Sequence, residues 1–265
     1  MGRVKRIRAR NVRVVPPWWA ARRQLLLAGC VVALAGSAWA QQSRCADCHL
    51  ANPSASAQRH LYEWDRSVHG GELVSCEQCH GGDPTTMDRR GAHVGILGSR
   101  NPASPVHRTR VAETCGRCHA GPLAAFQTSR HLELLRSGDP DVPSCLTCHG
   151  EVAAHLLSPQ GLEAQCAQCH GPSGVAPRLS YPHDGRLMLE AVGDMRASLD
   201  AARRLIETVQ SDGRRPEYEE AYRQAEVPLR QAVEAGHAFV FDELKERLAL
   251  ARQRIVVLID DLVNP

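Results

Sequence analysis

The sequence predicts a mostly α-helical protein, in which an irregular domain with short helices is followed by a C-terminal helical hairpin or three-helix bundle. Three observations lead to this fold class. Residues 41–182 contain five Cys-x-x-Cys-His motifs separated by Gly and Pro residues. Residues 183–265 contain no Cys and repeat apolar side chains every three or four positions, which is typical of packed helices. Residues 1–40 form a leader that is first basic and then apolar.

The leader is predicted to be a signal peptide. Residues 1–23 contain eight Lys and Arg residues and no Asp or Glu. An apolar run follows at residues 25–40 and ends at the small-x-small cleavage site Ala38-Trp39-Ala40. The alternative is an uncleaved membrane anchor at residues 25–40, although this run is shorter than the roughly 20 residues of a spanning helix. Two weaker interpretations are a lipoprotein box at residues 27–30 and a twin-arginine signal at Arg22-Arg23.

The five Cys-x-x-Cys-His motifs contain ten of the 11 cysteines. Two thiols three residues apart can form thioethers to the two vinyl groups of one porphyrin, and the adjacent His can then bind its iron. A zinc site would use the pairs two at a time, and neither zinc nor a disulfide scaffold requires a His after every second Cys. The motifs therefore predict five covalent c-type haems. Their thioether cysteines would be Cys45, Cys48, Cys76, Cys79, Cys115, Cys118, Cys145, Cys148, Cys166 and Cys169, and their proximal iron ligands would be His49, His80, His119, His149 and His170.

Three regions follow from this distribution. Residues 1–40 are the predicted signal peptide, residues 41–182 a pentahaem domain and residues 183–265 a helical bundle. The middle region has roughly 28 residues for each haem, which is too little protein for a conventional core, so the haems themselves are predicted to form it. Haem of this type is attached outside the cytoplasm in bacteria, which agrees with export.

An internal repeat organises residues 67–170. Each copy has a Ser-x-His, a Cys-x-x-Cys-His-Gly, a lone His and a further Cys-x-x-Cys-His, whereas the Cys45 motif lies outside the repeat. An iron that only passes electrons is best held by two axial ligands, so the recurring extra histidines are predicted to be distal ligands. They are His69 and His93 in the first copy and His131 and His155 in the second.

The sequence leaves the fifth distal ligand open. His60 and His107 are preferred because they lie inside the haem domain. A methionine ligand would raise the potential of its haem relative to two histidines. The remaining competitors are His183, His237, Met87, Met188 and Met195.

The tail is predicted to contain two long helices and a third helix between them. Pro216 is expected in the first turn of the middle helix, Pro228 is expected to kink that helix or end it early, and Gly236 marks a junction. An apolar seam usually serves packing alone, so His237 is not expected to contact a haem. The first seam is Met188, Val192, Met195, Leu199, Ala202, Ile206 and Val209, the middle helix has Tyr218, Tyr222, Ala225, Leu229 and Ala232, and the last seam is His237, Phe241, Leu244, Leu248, Ala251, Ile255, Leu258 and Leu262.

The Ser-x-His before Cys-x-x-Cys-His-Gly, the His after it and the long helical tail resemble the superfamily of extracytoplasmic multihaem cytochromes. This superfamily includes the tetrahaem electron carrier of ammonia oxidisers, the NapC/NrfH quinol dehydrogenases, pentahaem nitrite reductase and octahaem hydroxylamine oxidoreductase. In residues 45–170 the resemblance rests on specific motifs. In residues 183–265 it rests only on the general character of a long helical tail. The resemblance implies closely packed, mostly bis-histidine haems that pass electrons.

The resemblance favours a periplasmic electron-transfer protein over an enzyme, and no catalytic residue is assigned. Pentahaem nitrite reductase uses Cys-x-x-Cys-Lys at its catalytic haem, and that motif does not occur here. The alternatives are a quinol dehydrogenase anchored by residues 25–40 and a small redox enzyme that acts on nitrogen compounds at one open haem. Without the leader the chain has 24 basic and 29 acidic residues, so redox proteins or the quinol pool, and not nucleic acid, are the expected partners.

Overall fold

The regular secondary structure of the described part of the chain consists of helices joined by turns and irregular loops. A computed structural model describes residues 44–52, 58–72, 74–152, 155–209 and 213–264. These residues form 13 helices and no strand, which confirms the predicted mostly α-helical fold. In the described ranges no helix has both the length and the apolar content of a membrane span. The predicted signal peptide, its alternative as an anchor and Cys30 lie outside the described residues.

Ten short helices occupy the region of the motifs, because Gly, Pro and capping residues interrupt the chain at short intervals. The motifs that begin at Cys45, Cys145 and Cys166 lie entirely within helices. Another helix begins one residue after Cys76, and Cys115 lies near the end of a further one. The helices are α1 (Arg44–Ala51), α2 (Gln58–Asp65), α3 (Val68–Gly71), α4 (Glu77–His80), α5 (Arg89–Ala92), α6 (Val111–Gly116), α7 (Ala120–Gln127), α8 (Arg130–Arg136), α9 (Cys145–His149) and α10 (Pro159–His170).

The Ser-x-His sequences of the two repeat copies form the same helix start. Ser67 caps α3 and Ser129 caps α8, and in each case the serine Oγ accepts a hydrogen bond from the N–H three residues later at 3.2 Å. Each hydroxyl also donates to the carbonyl three residues before it at 2.7 Å. Both serines are buried. The histidine that follows is therefore fixed as the second residue of its helix in both copies.

Replacement of Gly82 by Ala is expected to destabilise the protein more than replacement of Gly81. Both glycines have a positive φ, +90° and +75°, which costs an alanine about 1–2 kcal/mol. At Gly82 the new Cβ would also lie 2.6 Å from the carbonyl oxygen of Ala92, whereas at Gly81 it would meet nothing within 4 Å. Denaturant unfolding of the two variants measures the difference. Equal losses of unfolding free energy would contradict the close approach to Ala92.

Three long helices, α11 (Tyr181–Thr208), α12 (Arg215–Ala238) and α13 (Phe241–Val263), pack around one apolar core. The structure thus has the three-helix form of the predicted tail. Four alanines at the centre are fully buried and let the helices approach closely. The core residues are Met188, Val192, Met195, Leu199, Ala202, Ile206, Tyr218, Tyr222, Ala225, Leu229, Ala232, Ala235, Leu244, Leu248, Ala251, Ile255 and Leu258.

The junction between α12 and α13 lies slightly later than the sequence suggests. α12 does not end early at Pro228, which is buried inside the continuing helix. It runs past Gly236 to Ala238, and Phe239 then adopts a left-handed conformation with a φ of 59°. This conformation costs a non-glycine residue about 1–2 kcal/mol, which the contacts of its aromatic ring offset.

The ring of Phe239 contacts the short-helix region. Its centroid lies 6.2 Å from that of Phe126 and 4.3 Å from that of His131. Leu132 and Leu135 of α8 are buried in the same small apolar cluster. Contacts also join α7 to α12 and α10 to α11. Since α11 begins at Tyr181, the predicted domain boundary at residue 182 falls in its first turn, and the division into two domains stays a prediction.

Candidate haem sites

Each of the five motif histidines faces one other histidine. A metal–imidazole bond of about 2 Å on each side, with about 1 Å from each ring nitrogen to its ring centre, would place two trans imidazole centroids roughly 6 Å apart. All five separations therefore fit one iron held between two imidazoles. The centroid distances are 5.9 Å for His49–His93, 5.8 Å for His80–His60, 6.0 Å for His119–His69, 6.2 Å for His149–His237 and 6.0 Å for His170–His131.

The partner histidines come from distant parts of the chain. His60 lies on α2 and His93 follows α5, while His69 and His131 lie on the two serine-capped helices α3 and α8. His237 lies in the last turn of α12, so the helical tail reaches the Cys145 motif. The fold therefore gathers every described motif into a two-histidine site.

Hydrogen bonds at Nδ1 orient half of these imidazoles. A carbonyl oxygen can only accept, so a ring nitrogen that faces one carries the proton, and the lone pair of Nε2 is left for a metal. Nδ1 of His60 instead lies 3.3 Å from the Glu151 carboxylate. The donations to carbonyls run from His69 to Val152 at 3.0 Å, and from His93 to Arg89, His170 to Ala176 and His237 to Val233 at 2.7 Å each.

Burial keeps several paired imidazoles in the neutral form that binds iron. It lowers the pKa of His80, and the neighbouring His60 lowers it further. It lowers the pKa of His131 in the same way, with His170 as the second cause. The pKa of His149 is lowered by burial and then by His237. In each of these sites the partner ring itself opposes protonation.

Two histidines predicted as ligands lie elsewhere in the described structure. The side chain of His155 is exposed, and its backbone N–H donates to the carbonyl of His149 at 3.3 Å. Nδ1 of His107 lies 2.8 Å from the hydroxyl of Thr109, and His107 is not a member of the five histidine pairs. Among the other candidates, Nδ1 of His183 lies 3.7 Å from the Glu163 carboxylate.

The methionine candidates are also accounted for by position. Met188 and Met195 are buried in the core of the three-helix bundle, and Met87 is an exposed residue before α5. Each motif histidine already has a histidine opposite it. The geometry therefore gives no motif a methionine partner in the described residues.

The repeat explains why His155 and His93 differ. His69 and His131 occupy equivalent places and face the equivalent motif histidines, His119 and His170. His93 faces His49, which belongs to the motif outside the repeat. The second copy has no such additional motif, and His155, the counterpart of His93, lies outside the five pairs. His149 of the fourth motif faces His237 of the tail instead.

Thiols of successive motifs adjoin one another. Burial raises the pKa of the Cys79 thiol, with Cys115 of the next motif as the second cause. Contacts join α6 to α9, and the neighbouring Cys145 thiol raises the pKa of Cys115. Burial raises the pKa of Cys148, and Cys166 of the last motif raises it further. The last four sites therefore follow one another in space in the order of the sequence.

Comparisons with known proteins agree with this site chemistry. A family model described as cytochrome c554 and c-prime matches residues 31–81, which include the first two motifs. The chain is also 23% identical over 159 residues to the C-type polyheme cytochrome OmcC of Geobacter sulfurreducens. That alignment covers 59% of this chain and 18% of the relative, so this chain spans only a small part of the relative's length. No solved structure matches the chain significantly. The matches support electron transfer through several covalent haems.

Proposed function

We propose that this multihaem c-type cytochrome carries five haems, one on each motif, and passes electrons between redox proteins in the periplasm. The observation that carries the proposal is the set of five histidine pairs with centroids 5.8 to 6.2 Å apart. A haem held by two histidines exchanges one electron between its ferric and ferrous forms with little change in ligation. The two cysteines of each motif would hold the porphyrin, and the paired imidazoles would hold its iron.

The chain's own hydrogen bonds support this ligand assignment. Four Nδ1 donations to backbone carbonyls fix ring orientation, which keeps Nε2 aimed at the metal before and after an electron arrives. We assign His93, His60, His69, His237 and His131 as the distal ligands, in the order of the motifs. This assignment keeps His69, His93 and His131 from the repeat, takes His60 for the Cys76 site and replaces His155 by His237.

The adjacency of successive thiols supports electron transfer along the chain. The contacts between α6 and α9, and the influence of Cys166 on the pKa of Cys148, indicate that the edges of neighbouring porphyrins would lie near each other. Arg117 links the second and third sites by donating to the carbonyl of Gln78 at 2.5 Å. Short steps between sites are what a carrier of electrons requires.

The pairing favours a carrier over an enzyme. A redox enzyme that acts on nitrogen compounds would bind its substrate at an open axial position of one iron. Each of the five motif histidines instead faces a second imidazole. The quinol dehydrogenase alternative rests on residues 25–40, which lie outside the described residues.

The exported holoprotein is expected to lack residues 1–40, to carry five haem masses and to be low-spin throughout. Intact-mass spectrometry gives the leader and haem counts, and electron paramagnetic resonance gives the spin state. The double variant C145A/C148A is the matched control and is expected to lose one haem mass. A retained leader or fewer than five haems in the wild type would contradict the proposed maturation. A native high-spin haem that turned over nitrite or hydroxylamine would favour the enzyme.

A further inference from the structure

Residues 89–112 are basic in an otherwise acidic protein. This segment contains five arginines and no Asp or Glu, although the chain after the leader has 24 basic and 29 acidic residues. Elsewhere in the described structure many arginines pair with nearby carboxylates, as Arg59 does with Glu63 and Arg186 with Glu190. The positive charge of this segment is therefore not balanced by carboxylates within it.

Two of the five arginines serve the fold. Arg108 donates from Nη1 to the carbonyl of Asp139 and from Nη2 to that of Val142, both at 2.7 Å. Arg110 donates to the carbonyl of Ala103 at 3.1 Å. Arg108 thus joins the segment to residues 139–142, and Arg110 forms a bond within the segment. These guanidinium groups are not directed at a partner.

The other three, Arg89, Arg90 and Arg100, have exposed side chains. Within the described residues none of the three takes part in an ion pair with a carboxylate. We call these three residues the basic rim. Their charges are available to an acidic surface at no cost of breaking an internal pair.

The loop that carries Arg100 is held in one shape. Consecutive turns join Asn101 to Gly98 at 2.9 Å, Ser104 to Asn101 at 2.8 Å and His107 to Ser104 at 3.0 Å through backbone N–H to carbonyl bonds. Ser104 is fully buried, and its hydroxyl donates to the carbonyl of Leu97 at 3.0 Å. A partner would therefore lose little binding free energy in ordering this loop.

The basic rim adjoins the first site. Nδ1 of His93 donates to the backbone carbonyl of Arg89 at 2.7 Å. One rim residue is therefore hydrogen-bonded through its backbone to the histidine that we assign as the distal ligand of the Cys45 site. The ring of His93 in turn faces that of His49. A protein that docks on the rim would come close to the porphyrin of this site.

We propose that the basic rim is a docking surface for an acidic one-electron carrier protein, which exchanges electrons at the haem of the Cys45 motif. This inference rests on the proposed electron-transfer function and extends it to the partner. The segment 89–112 contains no Phe, Tyr or Trp on which bases could stack, which disfavours single-stranded nucleic acid. The one helix that lies wholly within the segment, α5, has four residues, too few to lie as an amphipathic helix on a membrane.

The reaction at this surface is a transfer of one electron. The reduced centre of the partner loses one electron and one ferric haem of this protein becomes ferrous, with no bond formed or broken. Attraction between the positive charges of the rim and an acidic face of the partner would speed their encounter, and added salt would slow it. The charge of the rim should therefore appear in the association rate.

The experiment is stopped-flow reduction of the holoprotein by a photoreduced plant-type ferredoxin, an acidic one-electron carrier. The triple variant R89Q/R90Q/R100Q is expected to lower the second-order rate constant about tenfold or more at low ionic strength and to flatten its dependence on salt. The matched control is R196Q/R204Q/R252Q, which removes the same charge from exposed arginines of the tail. It is expected to react at close to the wild-type rate.

The outcomes separate the docking surface from the underlying function. A wild-type protein without haem, or one that dithionite cannot reduce, would overturn the electron-transfer function itself. With haem count, spin state and dithionite reduction intact in all proteins, equal ferredoxin rates for the rim variant and the wild type would overturn the docking surface. An equal fall in both triple variants would overturn it too. Binding to phosphatidylglycerol vesicles or to DNA that only the rim variant lost, with ferredoxin rates unchanged, would reassign the rim.

Discussion

Replacement of His237 by Ala is expected to convert one of the five haems to a high-spin form that binds carbon monoxide. The ring of His237 stacks at 4° to that of His149 with centroids 6.2 Å apart, and its Nδ1 is anchored to the carbonyl of Val233. Loss of this imidazole would leave the iron of the Cys145 site with one axial ligand. Carbon monoxide difference spectra and electron paramagnetic resonance measure the change. The other four haems should stay low-spin and inert.

The variant H155A is the matched control for this experiment. His155 is exposed and lies outside the five histidine pairs, so its removal should leave the spectra and carbon monoxide binding unchanged. The two candidates thus give opposite results at the same haem count. An H155A protein with a new high-spin haem, beside an unchanged H237A protein, would restore the ligand inferred from the repeat.

Replacement of Leu258 by Ala is expected to lower the free energy of unfolding of the tail by about 2–5 kcal/mol. Leu258 is only 2% exposed in the core of the three-helix bundle, so its truncation leaves a cavity. The adjacent Val257 is 55% exposed, and V257A should change the free energy by no more than about 0.5 kcal/mol. Urea unfolding followed by far-ultraviolet circular dichroism compares the two variants. Equal effects would mean that the three helices do not bury this face.

The same titration tests whether the tail supplies a ligand. Because His237 belongs to α12, unfolding of the bundle should release it and make one haem high-spin over the same range of urea. In L258A that change should shift to lower urea together with the loss of helix. If all haems stayed low-spin while the tail unfolded, the result would contradict the His149–His237 pair.

Local patterns in the sequence predict much of this structure. Each Cys-x-x-Cys-His motif is contiguous, so its chemistry can be recognised without knowledge of the fold. Ser67 and Ser129 cap helices whose second residue is a histidine, and the hydrogen bonds of these serines are local as well. The apolar seams of the tail follow helical periodicity, and the buried residues of α11 and α13 follow them closely.

The distal partners depend on contacts between distant residues, and the sequence predicts those less well. His237 and His149 are far apart in the chain, and only the docking of α12 beside α7 brings them together. The seam spacing indicates that His237 is on a packed helix but not what that helix packs against. His155 occupies the place in the repeat that is equivalent to His93. His93 faces the motif that lies outside the repeat, and there is only one such motif. Tertiary geometry, and not local pattern, pairs His237 with His149.

The position of His237 in the tail also affects the order of events in biogenesis at the Cys145 site. Export through the predicted signal peptide would deliver the chain from its amino terminus, so earlier segments would reach the place of haem attachment first. Both cysteines of the fourth motif and the whole of α11 are made before His237. A haem joined to Cys145 and Cys148 would therefore wait with a vacant axial position until α12 is exported and docks. A chain cut short within α12 would keep that vacancy permanently and would be a ligand-reactive haemoprotein, not merely a smaller carrier.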